Sequence, residues 1–142
     1  MHMLVEIPML VESNDSMPLR TSDDVVRVRQ AVRARAVGAG FSLVDQTKIV
    51  TAASEIARNT VDYGGGGELL IEVLRDGLRR GVRLTFTDQG PGIADIALAM
   101  TDGHTSGKGL GLGLSGAKRL SNEFKINSVP GHGTKVTLAR WK

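Results

Sequence analysis

Eighteen glycines constrain this chain more than any other feature, because they are not spread evenly. They gather at Gly64 to Gly67, at Gly90 and Gly92, between Gly103 and Gly116, and at Gly131 and Gly133. Glycine lets a backbone approach a ligand or take positive φ. Clusters in four separate places imply several loops with special tasks, held on a regular scaffold between them.

That scaffold is legible from periodicity. Thr21-Ser22-Asp23-Asp24 is a helix start, with acids suited to the positive end of the helix dipole, and the helix is expected to run to about Val37. A second helix is expected over 43–62. Its apolar residues Ile49, Ala52, Ala53, Ile56 and Ala57 recur at i, i+3, i+4, i+7 and i+8, one buried stripe. Residues 68–74 and 82–87 read as paired strands, with Arg79-Arg80-Gly81 placed in the turn. The apolar runs Leu4 to Val11 and Met17 to Leu19 read as two strands around a turn at Ser13-Asn14-Asp15. A short helical stretch near 93–100, a helix from about 112 to 121 and a closing hairpin across Pro130-Gly131-His132-Gly133 complete the pattern. The expectation is one α+β domain over 1–142, a two-layer sandwich with a mixed sheet and helices on one face.

Length and composition allow this and exclude other classes. With 142 residues and 41% apolar content the chain can build a core. It has no cysteine, so disulfides and thiolate metal sites are excluded. No stretch approaches the roughly 20 apolar residues of a membrane helix. The start lacks a basic region and is interrupted by Glu6, unlike a signal peptide. A cytoplasmic protein with no membrane partner is expected. The net charge is +3, with arginines crowded at Arg27, Arg29, Arg33 and Arg35 and at Arg75, Arg79, Arg80 and Arg83. Aromatics, at 4%, leave little for base stacking, so nucleic acid is not the expected partner. Solvated surface or an acidic protein partner are the other readings of the arginines.

Four segments can carry chemistry. Glu55 and Asn59 lie at i and i+4, so they share one face at the rim of the apolar stripe. An amide oxygen suits Mg²⁺, and a carboxylate beside it can polarise a hydroxyl. An ordinary Glu55–Arg58 surface pair is the plain alternative. Asp88-Gln89-Gly90-Pro91-Gly92-Ile93 follows a strand. Asp88 could accept a hydrogen bond from an exocyclic amine such as adenine's, and Gly92 would let a flat ring come close; a tight turn capped by Asp88 is the alternative. Gly107-Lys108-Gly109-Leu110-Gly111-Leu112-Gly113 opens a helix, where bare N–H groups and a lysine suit phosphate. It is neither a dinucleotide-binding turn, since no strand leads into it, nor a P-loop, since Gly109 follows the lysine where Ser or Thr would stand. Lastly, Gly133-Thr134 sits in a hairpin.

Taken in this order, the four motifs resemble the GHKL (Bergerat-fold) ATPase and kinase superfamily over essentially the whole chain. The strings Ser54-Glu55-Ile56-Ala57-Arg58-Asn59 and Asp88 to Ile93, with Ala117-Lys118-Arg119-Leu120, look most like its stand-alone anti-sigma and stressosome switch serine kinases. The resemblance implies ATP and Mg²⁺ as cofactors. It implies Glu55 as the catalytic acceptor and Asn59 as the metal ligand. Asp88, Gly90, Gly92 and Ile93 would form the adenine loop, with Thr134 supporting Asp88 through water. Gly107, Lys108, Gly109, Leu110, Gly111, Leu112 and Gly113 would hold phosphates, and residues about 95–110 would form a lid. It further implies a protein serine/threonine kinase acting on STAS-domain antagonist or scaffold proteins, a PP2C-type phosphatase as a later partner, and the homodimer found among related anti-sigma kinases. Two neighbouring activities stay open: an ATP-dependent sequestering module, and a detached histidine-kinase catalytic domain.

Overall fold

A computed structural model describes residues 9–101 and 110–142. Strand β1 (Leu10–Leu19) leads into helices α1 (Ser22–Gly38) and α2 (Leu43–Asp62). Strands β2 (Gly67–Asp76) and β3 (Arg79–Asp88) follow, then the single turn α3 (Ile96–Ala99), helix α4 (Leu110–Arg119), and strands β4 (Glu123–Val129) and β5 (Gly133–Trp141). The strands lie in the order β1-β2-β3-β5-β4. Each neighbouring pair is antiparallel, so the sheet is not the expected mixed one over the described residues. β4 runs parallel to β3, because each is antiparallel to β5 between them, so α3 and α4 form a crossover, and β5 then returns by a hairpin into the gap.

The helices begin where local chemistry tells them to. The Thr21 hydroxyl accepts from Asp24 N–H, while the Asp24 carboxylate accepts from Thr21 N–H at 3.2 Å, a reciprocal cap. Ser42 caps α2 by accepting from Asp45 N–H at 3.2 Å. The core lies between the helices and one sheet face. Leu69 and Ile71 of β2, Val82, Leu84 and Phe86 of β3, and Leu138 of β5 meet Val28 and Val32 of α1 and Ile49, Ala53 and Ile56 of α2. Alternate strand residues point the other way, as a period of two requires.

Two expectations about the strands are corrected. Ser13-Asn14-Asp15 is not a turn: these residues pair with Val73, Glu72 and Ile71 inside β1, after a register shift between Val11 and Ser13. β1 is an edge strand, so polar side chains there face water at no cost, and Asp15 also bridges to Arg35 of α1. Arg79, Arg80 and Gly81 are not a turn either, but pair with Asp76, Arg75 and Leu74. The turn is Gly77-Leu78, with Gly77 at φ +61° and no positive φ at Leu78, a two-residue hairpin that needs glycine first.

The far ends are tied together by Arg140 of β5. Its Nη2 donates to Asp45 of α2 at 2.8 Å, and its Nη1 donates to the Leu120 carbonyl beyond α4 at 2.9 Å. The guanidinium holds the Asp45 carboxyl below its ordinary range, first through this hydrogen bond and then through charge.

Candidate functional site

Asp88 ends β3, and the next turn folds back on it. Its Oδ1 accepts from Gly90 N–H at 2.9 Å and from Thr134 N–H, on neighbouring β5, at 3.2 Å. No donor among the described residues engages Oδ2. Gly64, just past α2, passes so close that a β-carbon there would stand 2.6 Å from Oδ2. This close approach explains part of the Gly64 to Gly67 run. At Gly67 a β-carbon would stand 2.0 Å from the Thr87 carbonyl. Gly92, at φ +75°, lies against the β4–β5 turn, 2.4 Å from the Val129 carbonyl measured from a β-carbon built on it.

A cavity of about 240 Å³ opens beside Asp88. Apolar Ile56, Ile93, Leu114 and Val136 line it together with polar Asn59, Tyr63, Asp88 and Thr134. A largely apolar cavity with a few polar groups suits a small organic ligand. Two buried polar atoms have no partner among the described residues: Asn59 Nδ2 and the Tyr63 hydroxyl. Buried polar groups of this kind are rarely left unpaired, which makes them candidate ligand contacts.

Glu55 lies one turn before Asn59 on α2, and α4 crosses both at Gly113. A β-carbon at Gly113 would stand 2.9 Å from Asn59 Nδ2 and 3.3 Å from Glu55 Oε2. Glycine is thus what lets α4 close over the pair. Glu55 also pairs with Arg58, but at 3.8 Å and with both side chains well exposed, so the contact contributes little.

Of the residues singled out from sequence, Asn59, Asp88, Gly92, Ile93 and Thr134 therefore meet around one cavity. Gly90 backs onto Gly64 behind Asp88, and Gly113 covers Asn59 and Glu55. Leu110, Gly111 and Leu112 begin α4. Gly107, Lys108 and Gly109 lie outside the described residues, as does half of the expected lid. The sequence reading missed two groups. Tyr63 falls four residues after Asn59, the same spacing that paired Asn59 with Glu55. Ser128 lies in phase with Phe124 and Ile126 on β4, a polar residue on an apolar face. Its hydroxyl accepts from Ile93 N–H at 2.7 Å and lies 2.8 Å from the Thr134 hydroxyl, clamping the Asp88 loop to β5.

Residues 44–142 match the family described as histidine kinase-, DNA gyrase B- and HSP90-like ATPase. The chain belongs to that family. It is 45% identical over 130 residues to serine/threonine-protein kinase RsbT of Bacillus subtilis, covering 90% of this chain and 98% of that one. It is also 26% identical to an anti-sigma F factor of Clostridium novyi, over 74% of this chain and 80% of that one. An anti-sigma F factor of Pasteuria penetrans is 30% identical, over 84% and 83%. With such identity to RsbT over nearly the whole of both chains, it is a protein serine/threonine kinase of this family. Solved structures agree on the fold. The RsbU and RsbW domains of Rv1364c from Mycobacterium tuberculosis superpose with TM-score 0.64 at 23% identity, over 90% of this chain and 32% of that one. The mycobacterial sensor histidine kinase MprB gives 0.53 at 18% identity, over 89% and 97%. No helix among the described residues is long and apolar enough to cross a membrane.

Proposed function

We propose that this kinase transfers the γ-phosphate of ATP to a serine or threonine of a STAS-domain partner, and then exchanges that partner for a PP2C-type phosphatase. The observation that carries the reading is the stacking of three things in one place: the Asp88–Thr134 cavity, the unpaired Asn59 amide, and Glu55 one turn away beneath Gly113.

Each residue then has a task. Asp88 Oδ2 accepts from the adenine amine, while its Oδ1 is fixed by two backbone donors. Ile56, Ile93, Leu114 and Val136 sandwich the ring. The chemistry of the donor set fits Mg²⁺ carried in by the nucleotide: among the described residues no cluster of three His, Cys, Asp or Glu could cage a metal alone, and Mg²⁺ commonly takes one protein oxygen plus phosphates. Asn59 Oδ1 would hold it. Bound there, Mg²⁺ would neutralise charge developing on the phosphates. Lys108 and the amides of 107–113 would cradle those phosphates. Glu55 accepts the proton of the partner's hydroxyl as it attacks the γ-phosphorus, and ADP leaves.

The test is transfer from Mg-ATP to a STAS-domain protein encoded beside this chain, with the site mapped by mass spectrometry. Acid-stable phosphoserine or phosphothreonine supports the reading. An acid-labile phosphohistidine would move the assignment to a histidine-kinase catalytic domain, and ATP binding without transfer would move it to a sequestering module.

A further inference from the structure

Glu55 stands at a boundary on α2. At about 3.6 residues per turn, Asn59 lies about 40° to one side of it and Arg58 about 60° to the other. The α2 residues that line the cavity, Ile56, Asn59 and Thr60, all lie on the Asn59 side, and α4 closes that side at Gly113. The other side is open, with Thr51 and Arg58 both exposed. A nucleotide in the cavity therefore meets Glu55 from one side, and a protein hydroxyl comes from the side of Arg58.

Arg58 is held differently from other arginines that meet an acid. Arg27 donates to Asp24 at 2.7 Å, and Arg83 and Arg140 donate to Glu72 and Asp45 at 2.8 Å. Arg58 Nη1 stands 3.8 Å from Glu55 Oε1, within reach of its charge but beyond a hydrogen bond. Its side chain is 56% exposed, and this is its one ion pair among the described residues. Asp62, four residues on, is also a neighbour on the helix surface, yet the guanidinium leans back toward Glu55, as long helical side chains do. A loose pair standing half in water costs little to release.

The chemistry at this point needs a cation. Glu55 and a γ-phosphate are both anionic, and the hydroxyl must come between them. Phosphoryl transfer spreads charge over the equatorial oxygens of the transferred group, and a planar guanidinium fork matches two such oxygens. We propose that Arg58 is the cation of the transfer step, leaving Glu55 as ATP binds and forking onto the γ-phosphate. The proposal rests on the kinase reading above and deepens it. The hydroxyl oxygen bonds to the γ-phosphorus, and its proton goes to Glu55. The bond from phosphorus to the bridging oxygen breaks, and its electron pair leaves with ADP. Arg58 keeps its protons throughout and holds the phosphoryl charge, and its departure frees Glu55 Oε1 to accept.

The experiment uses the full chain with Mg²⁺ and compares wild type, R58A and R58K in two measurements. Calorimetric titration reads the affinity for ADP and for the non-hydrolysable imido analogue of ATP. R58A is expected to bind ADP as wild type does, with an unchanged thermal midpoint, but to lose about fivefold or more of the affinity for the analogue. Steady-state transfer to the STAS-domain protein is expected to show kcat lower by about 100-fold or more in R58A, with KM for that protein unchanged. R58K should recover part of both losses, since lysine restores the charge without the fork. A wild-type preference for the analogue over ADP in R58A overturns the proposal, as does wild-type kcat in R58A. Equal losses for ADP and the analogue, or a change carried by the protein KM, make Arg58 a general or docking contact and also overturn it. Absence of transfer by wild type overturns the STAS-kinase reading, and the titration then decides by itself whether Arg58 meets the γ-phosphate.

Discussion

Thr134 and Asp88 are locked together across two strands: the Thr134 backbone N–H donates to Asp88 Oδ1 at 3.2 Å, in register with the Asp88↔Thr134 strand pair. One carboxylate oxygen is thereby used by the fold, and the other has no donor among the described residues. Asp88→Asn keeps an acceptor at Oδ1 but turns the free oxygen into an amide donor, which would face the adenine amine. ATP affinity is expected to fall roughly 10- to 100-fold, about 1.4–2.8 kcal/mol, with little change in thermal midpoint. Calorimetric titration checks this, and undiminished affinity would remove Asp88 from the adenine site.

Ser128 makes a second, independent prediction. Its hydroxyl accepts from Ile93 N–H and contacts the Thr134 hydroxyl. Ser128→Ala leaves that N–H, half-buried, without its acceptor, which costs about 1–3 kcal/mol. The loop that carries Asp88 then loosens. The expected readout is a raised KM for ATP, with kcat near wild type. Ser128→Thr keeps the hydroxyl and should recover most of the loss.

Gly113→Ala sets local propensity against tertiary fit. In a helix interior alanine is favoured over glycine by about 1 kcal/mol. Here its β-carbon would stand 2.9 Å from Asn59 Nδ2, tighter than van der Waals contact allows. The helix must shift or the Asn59 side chain must turn. Mg-ATP affinity is expected to drop about tenfold, measured by titration with and without Mg²⁺; tight binding in the alanine variant would show that Asn59 need not hold its place.

Asp45 predicts an acid limb. Its carboxyl is held below the ordinary range by Arg140, so its folded pKa is depressed. A depressed carboxylate stabilises the fold above its unfolded pKa, roughly pH 4, and that stability is lost as pH falls through the folded value. Asp45→Asn should therefore lower the thermal midpoint at pH 7, and the gap from wild type should narrow below about pH 4. A gap that stays constant down to pH 3 would show that the Asp45 charge is not what matters.

Much of this fold was written in local signals. Thr21 and Asp24 announce α1, and the apolar stripe from Ile49 to Ala57 fixes which face of α2 is buried. Where the sequence misled, the deciding term was tertiary. Ser13-Asn14-Asp15 has turn composition, but pairing with β2 at an open sheet edge outweighs it. Arg79-Arg80-Gly81 is polar and ends in glycine, as a turn would, but Gly77 takes the positive φ of the hairpin and leaves these three residues to the strand. At the site, Asp88 and Gly92 were legible because each has a residue-specific task in a turn, whereas Thr134 entered only through the family resemblance. Ser128 was not legible, because its role depends on β4 lying beside β5. The tight Gly64 loop had no sequence-level explanation, because its neighbour Asp88 is distant in the chain.

The central claim is that Glu55 performs the transfer step and does not hold the nucleotide. The most direct test measures Mg-ATP binding and γ-phosphate transfer to the STAS-domain protein side by side for wild type and Glu55→Ala. The account predicts ATP affinity within about twofold of wild type, with transfer reduced at least 100-fold, the size of a lost general base. Transfer at the wild-type rate from Glu55→Ala would contradict it.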